Sequence, residues 1–285
     1  MMKLHKYHAL GNDYIVIDPK DFDLELTPER VERICHRNFG LGSDGILLGP
    51  LESGQGPFVL KIFNPDGSEA EKSGNGLRIF SRYLHDQGLV NEQPFTVHTT
   101  GGEVQARVHP GGGVVTVEMG RGSFDSRDIP VVGEPREVIN DHLSVKGQEV
   151  TYSAATIGNP HCILVCPDIS ENRTRDLGPF LEMHENFPNR TNVQFLKVID
   201  RQNIRIEIWE RGAGYTLASG SSSSAAVAVA RRQDLVDEYV TVHMPGGILK
   251  IRVTDDYFIT MTGPVTRVAN GILYSEVFEN RTDLD

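Results

Sequence analysis

The chain has 285 residues, of which 39% are hydrophobic and 24% are charged, and its formal net charge is −11. These values predict a globular protein of roughly two domains. The acidic balance, without a long Lys/Arg run, disfavours nucleic acid or an anionic membrane surface as a partner. No stretch approaches the length of a membrane span, and residues 1–12 lack the apolar segment of a signal peptide. Three cysteines, an odd number, predict reduced thiols and a cytoplasmic protein.

Turn residues and alternation predict that the chain begins with two strands and a helix. The strands are expected within Lys3–Asp18, joined by a turn at Gly11-Asn12. Thr27 is expected to cap a helix over Pro28–Arg37. The glycine-rich stretch Gly40–Leu48 is then expected to lead into another strand.

A second helix is expected after the turn that follows the next strand. That strand, Phe58–Phe63, stops at Asn64-Pro65-Asp66-Gly67, a strong turn signal. After Ser73-Gly74-Asn75-Gly76, residues of one face recur at helical spacing: Leu77, Phe80, Ser81 and Leu84. Gly pairs and alternation between Phe95 and Val117 indicate antiparallel hairpins.

The second half of the chain repeats the first at a nearly constant spacing of 145 to 147 residues. The matches are Gly11-Asn12 with Gly158-Asn159, Ile62-Phe63 with Ile208-Trp209, Ser73-Gly74 with Ser219-Gly220, Leu89-Val90 with Leu235-Val236, Thr96-Val97-His98 with Thr241-Val242-His243, and Gly101-Gly102 with Gly246-Gly247. A period this long is unlike that of a solenoid. We therefore expect a duplicated domain, with an N-terminal half at residues 1–121, its duplicate at 122–265, and a C-terminal segment, 266–285, that packs back onto the N-terminal half.

Ser219-Gly220-Ser221-Ser222 runs into a helix, Ala225–Ala230, whose residues are apolar on every side. Such a helix belongs in a core, so its N-terminus lies in the interior with free N–H groups and the positive end of its dipole. That arrangement receives an anion such as a carboxylate. A lone serine run is more often a simple cap, but the repeat of the arrangement at Ser73 favours a functional site.

Two like domains that face each other across a pseudo-twofold axis place equivalent turns on opposite walls of one cleft. A ligand carboxylate then lies between two helix N-termini, with Ser73 on one face of the adjacent carbon and Ser219 on the other. This geometry suits inversion, in which a proton leaves one face and another arrives on the opposite face.

Several separated motifs, in the same order, resemble diaminopimelate epimerase, a PLP-independent amino-acid epimerase. They are Gly11-Asn12-Asp13-Tyr14, Asn64-Pro65-Asp66-Gly67-Ser68-Glu69, Ser73-Gly74-Asn75-Gly76-Leu77-Arg78, Gly158-Asn159-Pro160-His161-Cys162, Asn192, Glu210-Arg211-Gly212-Ala213-Gly214 and Met261-Thr262-Gly263-Pro264. The resemblance covers nearly the whole chain. It implies an α+β fold of two pseudo-symmetric domains, each a mostly antiparallel sheet wrapped around a central helix.

The resemblance also implies a site, a pathway and an assembly. Substrate contacts are expected from Asn12, Asn64, Asn159, Asn192, Glu210 and Arg211, and the carboxylate is expected at the N–H groups near Gly74-Asn75 and Gly220-Ser221. The implied reaction belongs to lysine and cell-wall biosynthesis, and a homodimer is common in the family. Neither a metal-ligand constellation nor a PLP lysine is recognisable, so no cofactor is expected.

The sequence departs from the family pattern at four positions. Serine stands in place of both catalytic cysteines, at Ser73 and Ser219, while Tyr215 replaces a usual glutamate and Ser222 a usual glycine. A serine hydroxyl is a much weaker acid than a thiol and must borrow a base. In the family pattern His161 lies near the first catalytic position and Glu210 near the second, so these two are the expected acid/base partners. Tyr215 is expected to alter substrate specificity.

Three readings stay open at this point. The chain epimerises a diaminopimelate-like amino acid through Ser73, Ser219, His161 and Glu210; or it performs an isomerisation or elimination on a related amino acid or dicarboxylate; or it binds a ligand without turnover. Buried Arg211 is expected to pair with a substrate carboxylate. Trp209 is expected to be core.

Overall fold

The computed structural model describes residues 2–52, 54 and 56–279. Residues 280–285 of the C-terminal segment expected at 266–285 lie outside the described residues. None of the helices in the described ranges is long and apolar enough to cross a membrane.

The chain divides into two compact units. As far as it is described, one unit comprises Met1–Val115 and Pro264–Asp285, and the other comprises Thr116–Gly263. We propose that these units correspond to the two halves of the duplication.

The first unit wraps a sheet around one buried helix. Its elements are β1 Met2–Ala9, β2 Asn12–Ile17, α1 Pro28–Cys35, β3 Ile46–Leu51, β4 Val59–Phe63, β5 Glu69–Ala70, α2 Gly74–Asp86, β6 Phe95–Thr99 and β7 Gly102–Val108. β8, Val114–Arg121, carries the chain into the second unit, and β18, Thr266–Leu273, returns to pair with β1. Most pairs are antiparallel, whereas β2 with β3 and β4 with β6 are parallel. α2 packs against β1, β2 and β7.

The second unit repeats this plan. Its elements are β9 Asp141–Val145, β10 Gln148–Thr156, β11 Pro160–Val165, α3 Glu171–Glu182, β12 Asn192–Asp200, β13 Asn203–Glu210, β14 Gly214–Thr216, α4 Gly220–Arg232, β15 Tyr239–Met244, β16 Gly247–Val253 and β17 Phe258–Pro264. Again two pairs are parallel, β11 with β12 and β13 with β15. The registers also agree: Ile15 lies beside Ile46 in the first unit, and Cys162 lies beside Val193 in the second.

The predicted α+β class, with mostly antiparallel sheets around central helices, is confirmed. α4 is the central helix of the second unit, and Ala225–Ala230 are all fully buried, as its uniformly apolar sequence predicts. Small Ala and Val side chains allow the strands of the sheet to approach this helix from several directions.

The predicted helix over Pro28–Arg37 is two residues shorter than expected. Thr27 caps it, but the helix ends at Cys35 because His36 adopts an extended backbone. Arg37 then turns toward β2 and donates to the carboxylates of Asp13 and Asp44. The turn after the helix is stabilised locally, since His36 Nδ1 accepts the backbone N–H groups of Asn38 and Phe39.

Candidate active site

Ser73 caps α2 and forms the centre of the candidate site in the first unit. Its backbone is extended, and its Oγ accepts the N–H of Gly76 at 3.1 Å. The hydroxyl of Tyr14 lies 3.3 Å from the same Oγ, and either oxygen could donate. Gly74, Asn75 and Gly76 begin the helix and are buried, so the N-terminus of α2 lies in the interior.

A chain of amide and carboxylate groups fixes Asn12 beside this N-terminus. Asn75 Nδ2 donates to Asn12 Oδ1 at 3.0 Å, and Asn12 Nδ2 donates to Asp44 Oδ2 at 2.9 Å. Asp44 also accepts the backbone N–H of Asp13. The predicted binding residues Asn12 and Asn75 are therefore brought together, and each fixes the amide orientation of the other.

Asp13 is a buried carboxylate with two cationic partners. Lys6 lies 2.7 Å from one of its oxygens and Arg37 lies 2.9 Å from the other. Burial opposes ionisation, but the hydrogen bonds from these two cations hold the pKa of Asp13 below its ordinary value. This ion network anchors the start of β2, which carries Asn12.

Arg78 is fully buried one turn into α2. Its guanidinium donates to Asn75 Oδ1 at 2.9 Å, and burial lowers the pKa of Arg78 to about 9, so the side chain remains charged at neutral pH. Asn64, by contrast, is used within its own turn, where its Nδ2 donates to Ser68 Oγ at 3.0 Å. In the described hydrogen bonds, Asn64 is not linked to the group around Ser73.

Ser219 caps α4 in the second unit and is 4% exposed. Its Oγ lies 3.4 Å from the N–H of Ser222, which it accepts, and 3.4 Å from the Oγ of Ser221. α4 begins at Gly220. Both serine-capped N-termini expected from the sequence are therefore present, each within its own unit.

His161 is fully buried at the start of β11. Its Nε2 lies 2.9 Å from Asn159 Oδ1, and the side chain of Gln194 is its second polar neighbour. Burial lowers the pKa of His161 to about 3. The imidazole is therefore neutral at pH 7 and offers a lone pair and an N–H, but not an imidazolium proton.

Asn192 joins the start of β12 to the loop that follows β13. Its Nδ2 donates to the carbonyl of Pro160, and its Oδ1 accepts the backbone N–H of Arg211 at 3.0 Å. The guanidinium of Arg211 donates to the carbonyl of Asn189, and the residue is exposed. The expectation that Arg211 is buried is wrong, because the loop after β13 holds Arg211 by its backbone and leaves its side chain at the surface. Glu210, the last residue of β13, is half-buried.

Tyr215 faces α3 and not the buried helix α4. Its hydroxyl donates to Glu207 Oε2 at 2.6 Å, and its ring lies 4.4 Å beneath the guanidinium of Arg175 on α3. Tyr215 pairs with Trp209 across β13 and β14, and Trp209 Nε1 donates to Glu182, also on α3. The buried carboxylate of Glu207 thus has two partners, the phenol on Oε2 and the guanidinium of Arg205 at 2.8 Å on Oε1. Trp209 is partly buried against the core of this unit, so its expected packing is observed.

Ser222 has a structural partner that its first-half equivalent lacks. Gln194 Nε2 donates to Ser222 Oγ at 3.0 Å, and both residues are fully buried. The corresponding positions in the first unit are Leu47 and Gly76, where a Cβ on Gly76 would lie 3.0 Å from Leu47 Cδ2. A polar pair in one unit therefore replaces an apolar contact in the other.

Three residues of the candidate site were not predicted from the sequence: Tyr14 beside Ser73, Asp44 beside Asn12, and Gln194 beside Ser222. Tyr14 belongs to the motif Gly11-Asn12-Asp13-Tyr14, yet alternation along a strand shows only on which face of the sheet a side chain lies and not its hydrogen-bond partner. The repeat carried a usable signal for Gln194, since Ser222 and Gln194 both depart from the first half together.

We predict that Ser222→Gly destabilises the protein by about 1–3 kcal/mol, because it leaves the buried amide of Gln194 without its acceptor. Adding Gln194→Leu recreates the Leu47 and Gly76 pair and should recover stability relative to the single variant. Urea unfolding measures both free energies. A double variant no more stable than Ser222→Gly contradicts this account.

We also predict that burial of His161 makes the protein less stable as the pH is lowered. Between pH 6.5, its ordinary pKa, and about 3, the unfolded chain binds a proton that the folded chain excludes. The free energy of unfolding therefore decreases as pH falls through this window, by at most about 1.4 kcal/mol per pH unit. Above pH 6.5 both states are neutral at this residue, and His161 causes no loss of stability. Urea unfolding of His161→Gln should show a shallower decline, whereas His142→Gln, at an exposed position, should follow the unsubstituted protein. Identical pH profiles for all three proteins contradict the assignment.

Comparisons with known proteins identify the family of the chain. The family model described as diaminopimelate epimerase matches residues 4–124 and 153–268. Diaminopimelate epimerase 2 of Nostoc sp. is 59% identical over 99% of this chain and 99% of its own length, and the diaminopimelate epimerase of Desulfitobacterium hafniense is 38% identical over 96% and 99%.

Solved structures show the same fold at low sequence identity. A hydroxyproline epimerase from Agrobacterium vitis has a TM-score of 0.70 at 14% identity, covering 98% of this chain and 92% of its own. A PhzF-family phenazine biosynthesis protein from Bacillus anthracis has a TM-score of 0.66 at 16% identity, covering 96% and 99%. With a family model that matches most of its length and relatives aligned nearly end to end, the chain belongs to the diaminopimelate epimerase family.

Proposed function

We propose that this chain epimerises diaminopimelate between its L,L and meso forms without a cofactor. The observation that carries the proposal is the pair of buried helix N-termini capped by Ser73 and Ser219, within a chain that aligns end to end with relatives named diaminopimelate epimerase. Each N-terminus offers backbone N–H groups and a positive dipole end to a carboxylate.

The two serines are the proposed proton-handling groups, one for each face of the α-carbon. Both Ser73 and Ser219 are less suited to this role than the cysteines of the family pattern, since an alcohol gives up its proton far less readily than a thiol. Glu210 and the neutral imidazole of His161 are the proposed acid/base partners. Loss of a hydroxyl proton to such a group compensates for part of the difference in acidity.

The remaining proposed contacts orient the substrate. Asn12, Asn64, Asn159, Asn192 and Arg211 are proposed to bind it, with the carboxylate at the N–H groups of Gly74, Asn75, Gly220 and Ser221. The exposed guanidinium of Arg211 is available for a second carboxylate, which a diamino dicarboxylic acid supplies. Tyr215 is proposed to influence specificity indirectly, by holding Glu207 on the strand that ends at Glu210.

We predict that the purified protein, incubated with L,L-diaminopimelate in D2O, incorporates deuterium at one α-carbon and yields the meso isomer. Hydroxylamine, which traps PLP aldehyde, should not affect the rate. Nuclear magnetic resonance follows the loss of the α-proton signal, and chiral chromatography follows the product. Measurable binding without α-proton exchange would contradict epimerisation and favour a binding protein.

A cytoplasmic location and a role in lysine and cell-wall biosynthesis are proposed with this activity. Support for the location comes from three free, buried cysteines, Cys35, Cys162 and Cys166. The amino-acid substrate proposed above is the support for the pathway.

We further propose that the protein is a homodimer. β18 is exposed at every residue except Leu273. Its exposed apolar residues include Val268 and Ile272, and Tyr274, directly after the strand, is also exposed. Exposed strands with apolar side chains favour association. Sedimentation equilibrium at micromolar concentration should give twice the chain mass of 31.6 kDa, and a mass of one chain contradicts a stable dimer.

A further inference from the structure

We propose that Tyr14 exchanges protons with Ser73 and so serves as the positioning and relay residue for one face of the substrate carbon. The proposal rests on the proposed function, in which Ser73 is one of the two proton-handling groups. Its basis is a contact within the first unit: Tyr14 Oη lies 3.3 Å from Ser73 Oγ.

The fold fixes the phenol ring in this position. Tyr14 lies on β2, opposite Tyr7 in the antiparallel ladder, and is 7% exposed. A Cβ on Gly45 would lie 2.7 Å from Cε1 of the ring and 2.4 Å from the carbonyl oxygen of Phe63. Glycine is therefore required at position 45 for the ring to lie where it does.

Ser73 has hydrogen-bonding capacity suited to this partner. Its Oγ accepts the N–H of Gly76, which leaves the hydroxyl hydrogen and a second lone pair. One of these can face Tyr14 and the other the substrate. Because the cap bond holds Oγ in place, a proton can pass through Ser73 without movement of its side chain.

Proton transfer through the pair is balanced in both directions. When Ser73 delivers its hydroxyl proton to the α-carbanion, the Tyr14 O–H bond breaks and its proton moves to Ser73 Oγ, which leaves a tyrosinate. In the reverse direction the C–H bond breaks, Ser73 receives that proton, and its own proton passes to the tyrosinate. A phenol is a much stronger acid than an aliphatic alcohol, so the charge rests on the better of the two oxygens.

The duplicate position in the second unit also carries a ring that can transfer a proton. His161 occupies the register on β11 that Tyr14 occupies on β2, since each precedes the parallel pair formed by Ile15 with Ile46 or by Cys162 with Val193. The buried imidazole lies beside the side chains of Asn159 and Gln194. This strand position therefore holds a proton-transferring ring in both units, with different chemistry in each.

A double-mutant cycle tests the relay against a purely structural role. In the unsubstituted background, Tyr14→Phe should lower kcat for α-proton exchange by about tenfold or more and leave KM nearly unchanged. In a Ser73→Cys background the introduced thiol can ionise without a relay, so Tyr14→Phe should cost much less. Equal fold losses in the two backgrounds, or no loss in the first, overturn the proposal.

Tyr7→Phe is the matched control. It also removes a buried phenol hydroxyl from the first unit, but the hydroxyl of Tyr7 donates to Asp86 and not to Ser73. Any loss that it causes should be the same in both backgrounds. Background-dependent losses in both tyrosine variants would overturn a specific role for Tyr14.

A second readout is independent of turnover and separates this proposal from the proposed function. In Ser73→Cys, the pH dependence of iodoacetamide alkylation reports the pKa of the introduced thiol, while the native cysteines are buried. Removal of the Tyr14 hydroxyl should raise that pKa by about one unit, because the phenol no longer donates to the thiolate. If the pKa of the thiol rises but the protein does not exchange the α-proton of diaminopimelate, the proposed function is refuted while the hydrogen bond between residues 14 and 73 stands. If the pKa of the thiol does not change, the relay proposal is refuted.

Discussion

Each half of this protein depends on a buried helix N-terminus that needs a hydrogen-bond acceptor. Ser73 supplies it for α2 and Ser219 for α4, through side-chain oxygens that accept N–H groups of the first turn. A serine cap commonly stabilises a helix by about 0.5–2 kcal/mol. The same oxygen is the proposed site of proton transfer, so stability and chemistry compete for one atom. Serine satisfies the first requirement well and the second poorly.

In the two units the strands beside the cap have the same backbone register, whereas the side chains near the cap differ. Their strand registers coincide, yet Tyr14 of the first unit corresponds to His161 of the second, and the apolar pair at Leu47 is replaced by Gln194 with Ser222. Duplication has therefore preserved the hydrogen-bond ladders, which fix the position of the cap. The side chains around the cap do not form these ladders, so they can differ between the two units.

Much of the fold could be predicted from the sequence, because repeats and periodicity report directly on backbone structure. The buried α4 and its interior N-terminus followed from such patterns, whereas the α+β class was implied by the family resemblance. Single side-chain partners could not be predicted. Arg37 lies beyond the end of the helix and donates to the carboxylate of Asp13. Arg211 is exposed, and the hydroxyl of Tyr215 donates to Glu207. Each outcome depends on tertiary contacts that no local pattern encodes, so the roles proposed at the site stay predictions.

The contacts of the two caps differ, which would make the two proposed proton-transfer steps chemically unequal. Ser73 Oγ lies beside a phenol, whereas Ser219 Oγ lies beside another aliphatic hydroxyl, that of Ser221. An alcohol next to an alcohol gains little acidity, so the proton transfer proposed at Ser219 would depend more strongly on its proposed carboxylate partner, Glu210. This inequality is compatible with epimerisation, because the equilibrium constant fixes only the ratio of the forward and reverse rates. In the proposed reaction a weak acid acts on one face and a carboxylate base on the other, with the neutral His161 as a further proposed proton acceptor, and these groups exchange roles in the return reaction.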